Sequence, residues 1–137
     1  MSYKKWFIRH SQKHKKIVNS LLKRGFGKKA IIEYFYYENL KLKEPKFCPL
    51  FVKDKKCHDM KNLNCYLCGC DNFRFNDRGF KKIDDNLLVS YCKLNLGDKI
   101  ISKGKIHHNC SNCQVPHKKR YISKKFNFYW GEVMGRV

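Results

Sequence analysis

The chain has 137 residues and a formal net charge of +20, from 31 Lys and Arg against 11 Asp and Glu. That length suits one compact domain with an appended segment and excludes two full domains. Ten Phe, eight Tyr and two Trp exclude a disordered polymer, and no stretch approaches the roughly 18 apolar residues that span a bilayer.

The start, Met1 to His10, carries charge with no apolar run behind it, so no signal peptide is expected and the chain is expected in the cytoplasm. Thiols stay reduced there, and clustered cysteines read as metal ligands before disulfides. The charge predicts a polyanionic partner, RNA, DNA or an anionic membrane surface. The plainer reading is a solvated lysine-rich surface of the kind an AT-rich genome encodes.

Residues 1–45 contain no cysteine and read as a basic helical hairpin. Ser11 is placed to cap a helix to about Arg24, in which Ile17, Val18, Leu21 and Leu22 form one stripe. His14, Lys15, Lys16, Lys23 and Arg24 are assigned to the rest of its circumference. Gly25-Phe26-Gly27 predicts a stop and turn. A second helix is predicted from about Lys28 to Lys43, with Ala30, Ile31, Phe35 and Leu42 inward and Tyr34, Tyr36 and Tyr37 at the margins. Pro45 ends it. Two basic helices around a glycine turn suit phosphate contact, but any helical hairpin shares that pattern.

Residues 46–122 hold all eight cysteines, with short apolar runs and many Asn, Asp and Gly. Strands are predicted over Asn86–Cys92 and Lys99–Ser102, with turns at Asp84-Asp85 and Gly97-Asp98. Residues 123–137 form an aromatic and basic tail in which Phe126, Phe128 and Trp130 would share one face of a strand. The fold class expected is α+β: a small irregular zinc-stabilised domain with short strands, preceded by the basic helical hairpin.

Cys65-x-x-Cys68 and Cys110-x-x-Cys113 carry the most information. Two residues between thiolates allow a tight turn whose sulfurs converge on one ion at about 2.3 Å. Cys57-His58 puts two ligand types side by side, though in an extended strand they would diverge and bind different ions. Cys68-Gly69-Cys70 allows two sulfurs on one ion or on two. Cys113 and His117 lie one helical turn apart, behind Pro116. Cys92 ends an apolar strand, where a buried thiol is the alternative, and His107 and His108 read equally well as surface histidines. Two closed tetrahedral sites would use eight of these ligands, with the pairing left open. Zinc is the expected metal, as two ions, and an iron–sulfur cluster is the alternative.

Phe47-Cys48-Pro49-Leu50-Phe51, Lys56-Cys57-His58-Asp59, Asn64-Cys65-Tyr66-Leu67-Cys68-Gly69-Cys70 and Cys110-Ser111-Asn112-Cys113-Gln114-Val115-Pro116-His117 stand in an order that resembles the cysteine-rich small domain family. This is a prokaryotic group of presumed metal-binding domains. The resemblance spans about residues 47–122; the basic head and the long insertion before Cys110 lie outside its pattern. It implies that Cys48, Cys57, His58, Cys65, Cys68, Cys70, Cys92, Cys110, Cys113 and His117 are the metal-site positions, and it implies little about activity.

The function expected is a zinc finger-like, nucleic-acid-binding module, with RNA favoured over DNA and protein partners within a ribonucleoprotein as a further possibility. Basic residues interleaved with aromatics neutralise phosphates and stack on unpaired bases. The residues assigned to this are Lys15, Lys16, Lys23, Arg24, Lys28, Lys29, Lys118, Lys119, Arg120, Tyr121, Lys124 and Lys125. The alternatives are a metal- or cluster-dependent enzyme acting on RNA or a cofactor, and a metal-handling adaptor. Catalysis is disfavoured: the zinc-deaminase signature, a Walker loop, a Rossmann fingerprint and a Ser/His/Asp arrangement are all absent.

Overall fold

A computed structural model describes residues 3–75 and 81–134, so the last three residues of the expected tail lie outside the described residues. Helix α1 runs Tyr3–Lys23, α2 Lys28–Tyr34, α3 Tyr37–Lys43, α4 Lys119–Lys125 and α5 Trp130–Met134. Between α3 and α4 lie six short strands: β1 Phe73–Phe75, β2 Lys82–Ile83, β3 Asn86–Leu88, β4 Ser90–Cys92, β5 Asp98–Ser102 and β6 Lys105–Asn109. The architecture is α+β, as expected.

Helix α1 begins two turns before Ser11. The reason is in the spacing: Phe7, His10 and His14 extend the Ile17, Val18, Leu21 stripe backwards at intervals of three and four. His14 was placed on the polar circumference, but it is fully buried, and His10 is 4% exposed. The helix ends as predicted. Gly25 takes φ +85, Phe26 N–H donates to Leu21 O at 3.0 Å and Gly25 N–H to Leu22 O at 3.0 Å. This is a Schellman-type closure, which needs a residue without a Cβ penalty in the left-handed region.

The single helix predicted over Lys28–Lys43 is broken at Phe35-Tyr36. Tyr36 is extended (φ −61, ψ 140) and bridges to Asn64. The groups freed by the break are taken up by the segment that carries the first cysteine turn. Tyr37 N–H donates to Leu63 O at 2.9 Å, Cys65 N–H to Phe35 O at 2.8 Å and the Asn64 side-chain amide to Ile32 O at 2.8 Å. Every buried backbone group needs such a partner, so the break is where the cysteine-rich segment docks. It also rotates the downstream face: Leu40 and Tyr37 are buried, while Leu42, expected inward, is 81% exposed.

Strands β1 and β4 pair antiparallel, with Phe73 opposite Cys92. A second sheet has the order β2-β3-β6-β5, antiparallel except for the β3–β6 pair. Its two tight loops, Asp84-Asp85 and Lys103-Gly104, have positive φ at both central residues, the twist that two-residue hairpins favour. The predicted strand over Asn86–Cys92 is divided between the two sheets at Val89.

One apolar core draws on the whole chain: Val18 and Leu21 of α1, Ile31 and Phe35 of α2, Leu63, Tyr66 and Leu67 of the cysteine turn, and Ile122 and Trp130 near the C-terminus. The tail is therefore not a strand. Trp130 is 1% exposed, opens α5 against α1, and donates Nε1–H to Cys68 O at 2.9 Å. Phe126 stacks on Tyr66 at 4.9 Å between centroids, while Phe128 and Tyr129 stay exposed.

Candidate metal centre

Cys57 and His58 follow the 3-10 turn Phe51–Lys53 and lie in a bend, not a strand. The bend is held by Met60 N–H donating to His58 O at 3.0 Å and by Lys56 Nζ on Met60 O at 3.2 Å. Gln114 ties it to the second cysteine turn by donating to Asp59 O at 3.2 Å. Because the backbone bends, the two side chains converge: Cys57 Sγ lies 3.1 Å from His58 Nδ1. The expectation that neighbouring Cys57 and His58 would bind different ions is corrected here.

His117 reaches the same point from the 3-10 turn Val115–His117, where Pro116 fixes the backbone. Its Nε2 stands 3.7 Å from Cys57 Sγ. The ligand atoms of Cys57, His58 and His117 all lie within 4.8 Å of one another, and no other such group of three occurs among the described residues.

Hydrogen bonding fixes the tautomers. His58 Nε2 lies 2.8 Å from Cys110 O and His117 Nδ1 lies 2.8 Å from Asn64 O. A carbonyl only accepts, so each of these nitrogens carries the proton. The remaining lone pairs, on His58 Nδ1 and His117 Nε2, both face Cys57 Sγ. One thiol has one proton and satisfies one nitrogen; a metal ion accepts from all three atoms. A histidine that donates its second N–H to a backbone carbonyl is the usual arrangement of a metal ligand. Burial, partly offset by the Asn64 carbonyl, lowers His117 to about 4, so it is neutral at pH 7 and able to ligate. Asn64 was not singled out from the sequence. It sits at the centre of the site: its N–H donates to His117 O at 3.2 Å and its Oδ1 accepts from Tyr66 N–H at 2.9 Å. Nothing in its sequence neighbourhood signals this, because the partner is 53 residues away.

The other cysteines surround this centre in two sets. Burial, then negative charge at Cys68, Cys57 and Cys48, raises the Cys65 thiol. Burial, then Cys57 and Cys48, opposed by Lys13, raises Cys68 to about 12. Both cysteine turns close as the spacing predicts, with Cys68 N–H on Cys65 O at 3.2 Å and Cys113 N–H on Cys110 O at 2.9 Å. All eight cysteines are free thiols. Thiols held protonated by burial release protons when a divalent cation binds, which couples metal affinity to pH.

Lysines of the head meet the tail at two places. Lys28 Nζ donates to Ser123 O at 2.8 Å and lies 5.5 Å from the Phe126 ring centroid. Lys15 Nζ lies 5.5 Å from that of Tyr129. Lys15, Lys16 and Lys23 line one shallow exposed groove on α1 with Gln12, Asn19 and Ser20. Arg24 covers Phe26, and Lys29, Lys118, Lys119, Arg120, Lys124 and Lys125 are exposed. Tyr121 differs from these: it is half-buried, and its hydroxyl donates to Asp71 Oδ1 at 2.5 Å while accepting from Asn72 Nδ2 at 2.9 Å. It clamps the loop after Cys70.

No helix among the described residues is long and apolar enough to cross a membrane. Compared with protein-family models, curated proteins and solved structures, the chain shows no match, so what it holds is argued from its own residues.

Proposed function

We propose that the chain is a zinc-stabilised, strongly basic module that binds RNA. The observation that carries the metal half is the pair of imidazole lone pairs, His58 Nδ1 and His117 Nε2, both directed at Cys57 Sγ. Sulfur and nitrogen donors converging on one point suit zinc. With Cys57 and two histidines in place, Cys48, Cys65 and Cys68 are the candidates for a fourth ligand, since each is coupled electrostatically to Cys57.

The RNA half rests on the charge of +20 and on Lys15 of the N-terminal helix lying 5.5 Å from the ring of exposed Tyr129, next to exposed Phe128. Lysines neutralise phosphates while an exposed ring stacks on any unpaired base. Contact with about six phosphates would cost on the order of a thousandfold in affinity between 50 and 200 mM salt.

Two measurements test the proposal. Metal analysis of the purified chain is expected to find zinc in whole-number stoichiometry, and a folded chain free of metal refutes the first half. Fluorescence anisotropy with a single-stranded RNA oligonucleotide is expected to show steeply salt-dependent binding. An affinity no tighter than that of a polyanion-binding control peptide of equal charge refutes the second.

A further inference from the structure

The Cys57, His58, His117 group, with Cys48, Cys65 and Cys68 as its candidate fourth ligands, leaves four of the eight cysteines unused. Cys70, Cys92, Cys110 and Cys113 line a single cavity of about 400 Å³, whose wall also includes the apolar Trp6, Phe73 and Leu96 and, at one side, His58 and His117 of the first centre. We propose that these four cysteines form a second, all-thiolate metal centre beside the Cys57 centre. This rests on the reading of the chain as a metal-binding module and assigns its ligands.

Three separate turns deliver the four sulfurs. Cys70 lies in the left-handed region at φ +62, directly after Gly69 at φ +103. A non-glycine residue is strained there by its Cβ, and such strain is retained where the surrounding structure requires it. Asn72 N–H points at Cys70 Sγ at 3.5 Å, Phe73 N–H donates to Cys70 O at 3.1 Å, and Cys70 N–H donates to Leu67 O at 2.9 Å. Cys92 ends β4, opposite Phe73, and closes its own turn with Asn95 N–H on Cys92 O at 3.0 Å. Cys110 and Cys113 share the third turn. A backbone bond from Lys93 N–H to Asn72 O at 2.7 Å holds the first two turns together.

The reversal at Gly69-Cys70 separates Cys68 from Cys70. Cys70 lines the cavity with Cys92, Cys110 and Cys113, whereas Cys48, Cys57, Cys65 and Cys68 are not among its lining residues. A further nitrogen faces the same space: His108 lines the cavity, and its Nδ1 is buried without a hydrogen-bond partner.

Four thiolates take either one zinc ion or an iron–sulfur cluster. No three of these four sulfurs lie within 4.8 Å of one another. A single ion with metal–sulfur bonds of about 2.3 Å draws its thiolates to roughly 3.8 Å apart, so zinc would require the side chains to turn inward, whereas a multi-iron cluster holds its thiolates farther apart. The shared chemistry is four thiolates around a soft metal group.

The test compares wild type, Cys92→Ser and Cys57→Ser, each purified anaerobically from cells supplied with zinc and iron. Native mass spectrometry counts bound metal, and colorimetric assays measure iron and acid-labile sulfide. The wild type is expected to hold two metal groups and each variant one. Visible absorption with iron and sulfide, lost in Cys92→Ser and kept in Cys57→Ser, identifies a cluster; zinc alone, lost in the same pattern, identifies a zinc tetrathiolate. One metal group in the wild type, kept in Cys92→Ser and lost in Cys57→Ser, overturns the second centre and leaves the first standing. No metal in the wild type overturns both. If Cys92→Ser does not fold, cobalt(II) substitution of the wild type decides. Two sites are expected, one of which shows the stronger sulfur-to-cobalt charge-transfer band of four thiolates; a single mixed sulfur–nitrogen spectrum overturns the proposal.

Discussion

Acid should destabilise this fold through a histidine that has nothing to do with the metal centre. His14 is fully buried on α1, stacked on Phe35 at 4.7 Å and edge-on to Tyr66 at 4.6 Å, with Nε2–H donating to Tyr66 O at 3.0 Å. Burial, only partly offset by that bond, lowers it from 6.5 to about 4. Below pH 6.5 the unfolded chain takes up a proton that the folded chain refuses until about pH 4. The unfolded state thus binds more protons, and stability is lost as pH falls through this window. Between pH 7 and pH 5 the linkage amounts to about 2 kcal/mol for this one group. His14→Gln keeps an amide donor for Tyr66 O and removes the titration. Urea unfolding of both proteins at pH 7 and pH 5 is the assay. Wild type should lose about 2 kcal/mol more than His14→Gln across that interval, since losses from the metal ligands are common to both. Equal losses would show that His14 accepts its proton in the folded chain, and the reasoning from its burial would fail.

Other outcomes follow from the same packing. Trp130→Ala removes the 1%-exposed ring that packs against Phe7 and His10 and donates to Cys68 O; thermal or urea unfolding should show a loss of about 3–5 kcal/mol. Gly69→Ala places a Cβ 2.8 Å from Trp6 and 3.1 Å from Trp130 on a backbone with φ +103, so it should lower the melting temperature and the bound metal together, seen by calorimetry and metal analysis. Cys65→Ser and Cys113→Ser should each lose one metal group and a large part of the unfolding free energy in urea, because metal binding supplies on the order of 10 kcal/mol to small metal domains; a chelator that strips both groups should abolish the near-ultraviolet circular dichroism of wild type. Lys15→Ala with Lys16→Ala should lower the slope of log affinity for RNA against log salt by about 1–2, while thermal unfolding of the variant matches wild type.

Much of the local structure was legible from spacing alone. The Gly25 stop, the Asp84-Asp85 turn, the strand over Lys99–Ser102 and the two cysteine turns are all short-range features, fixed by residues within a few positions of one another. The apolar stripe of α1 was legible too, and reading it strictly would have placed His14 inside, since it falls three and four residues before Ile17 and Val18. The error lay in treating a histidine as polar surface, when a neutral imidazole packs well among aromatic rings.

Composition and short-range spacing settle the donor inventory, the excess of positive charge and the elements whose signals are local. Which donors meet is settled by the packed core. The break at Tyr36 could not be read from a run of good helix formers, because its cause is the docking of Leu63–Cys65, almost thirty residues later, which satisfies the backbone groups the break releases. The meeting of Cys57, His58 and His117 depends on that same docking through Asn64, whose two bonds to His117 set its position and its tautomer. Ligand spacing within a turn is a property of covalent geometry; ligand pairing between turns is a property of the core that brings them together.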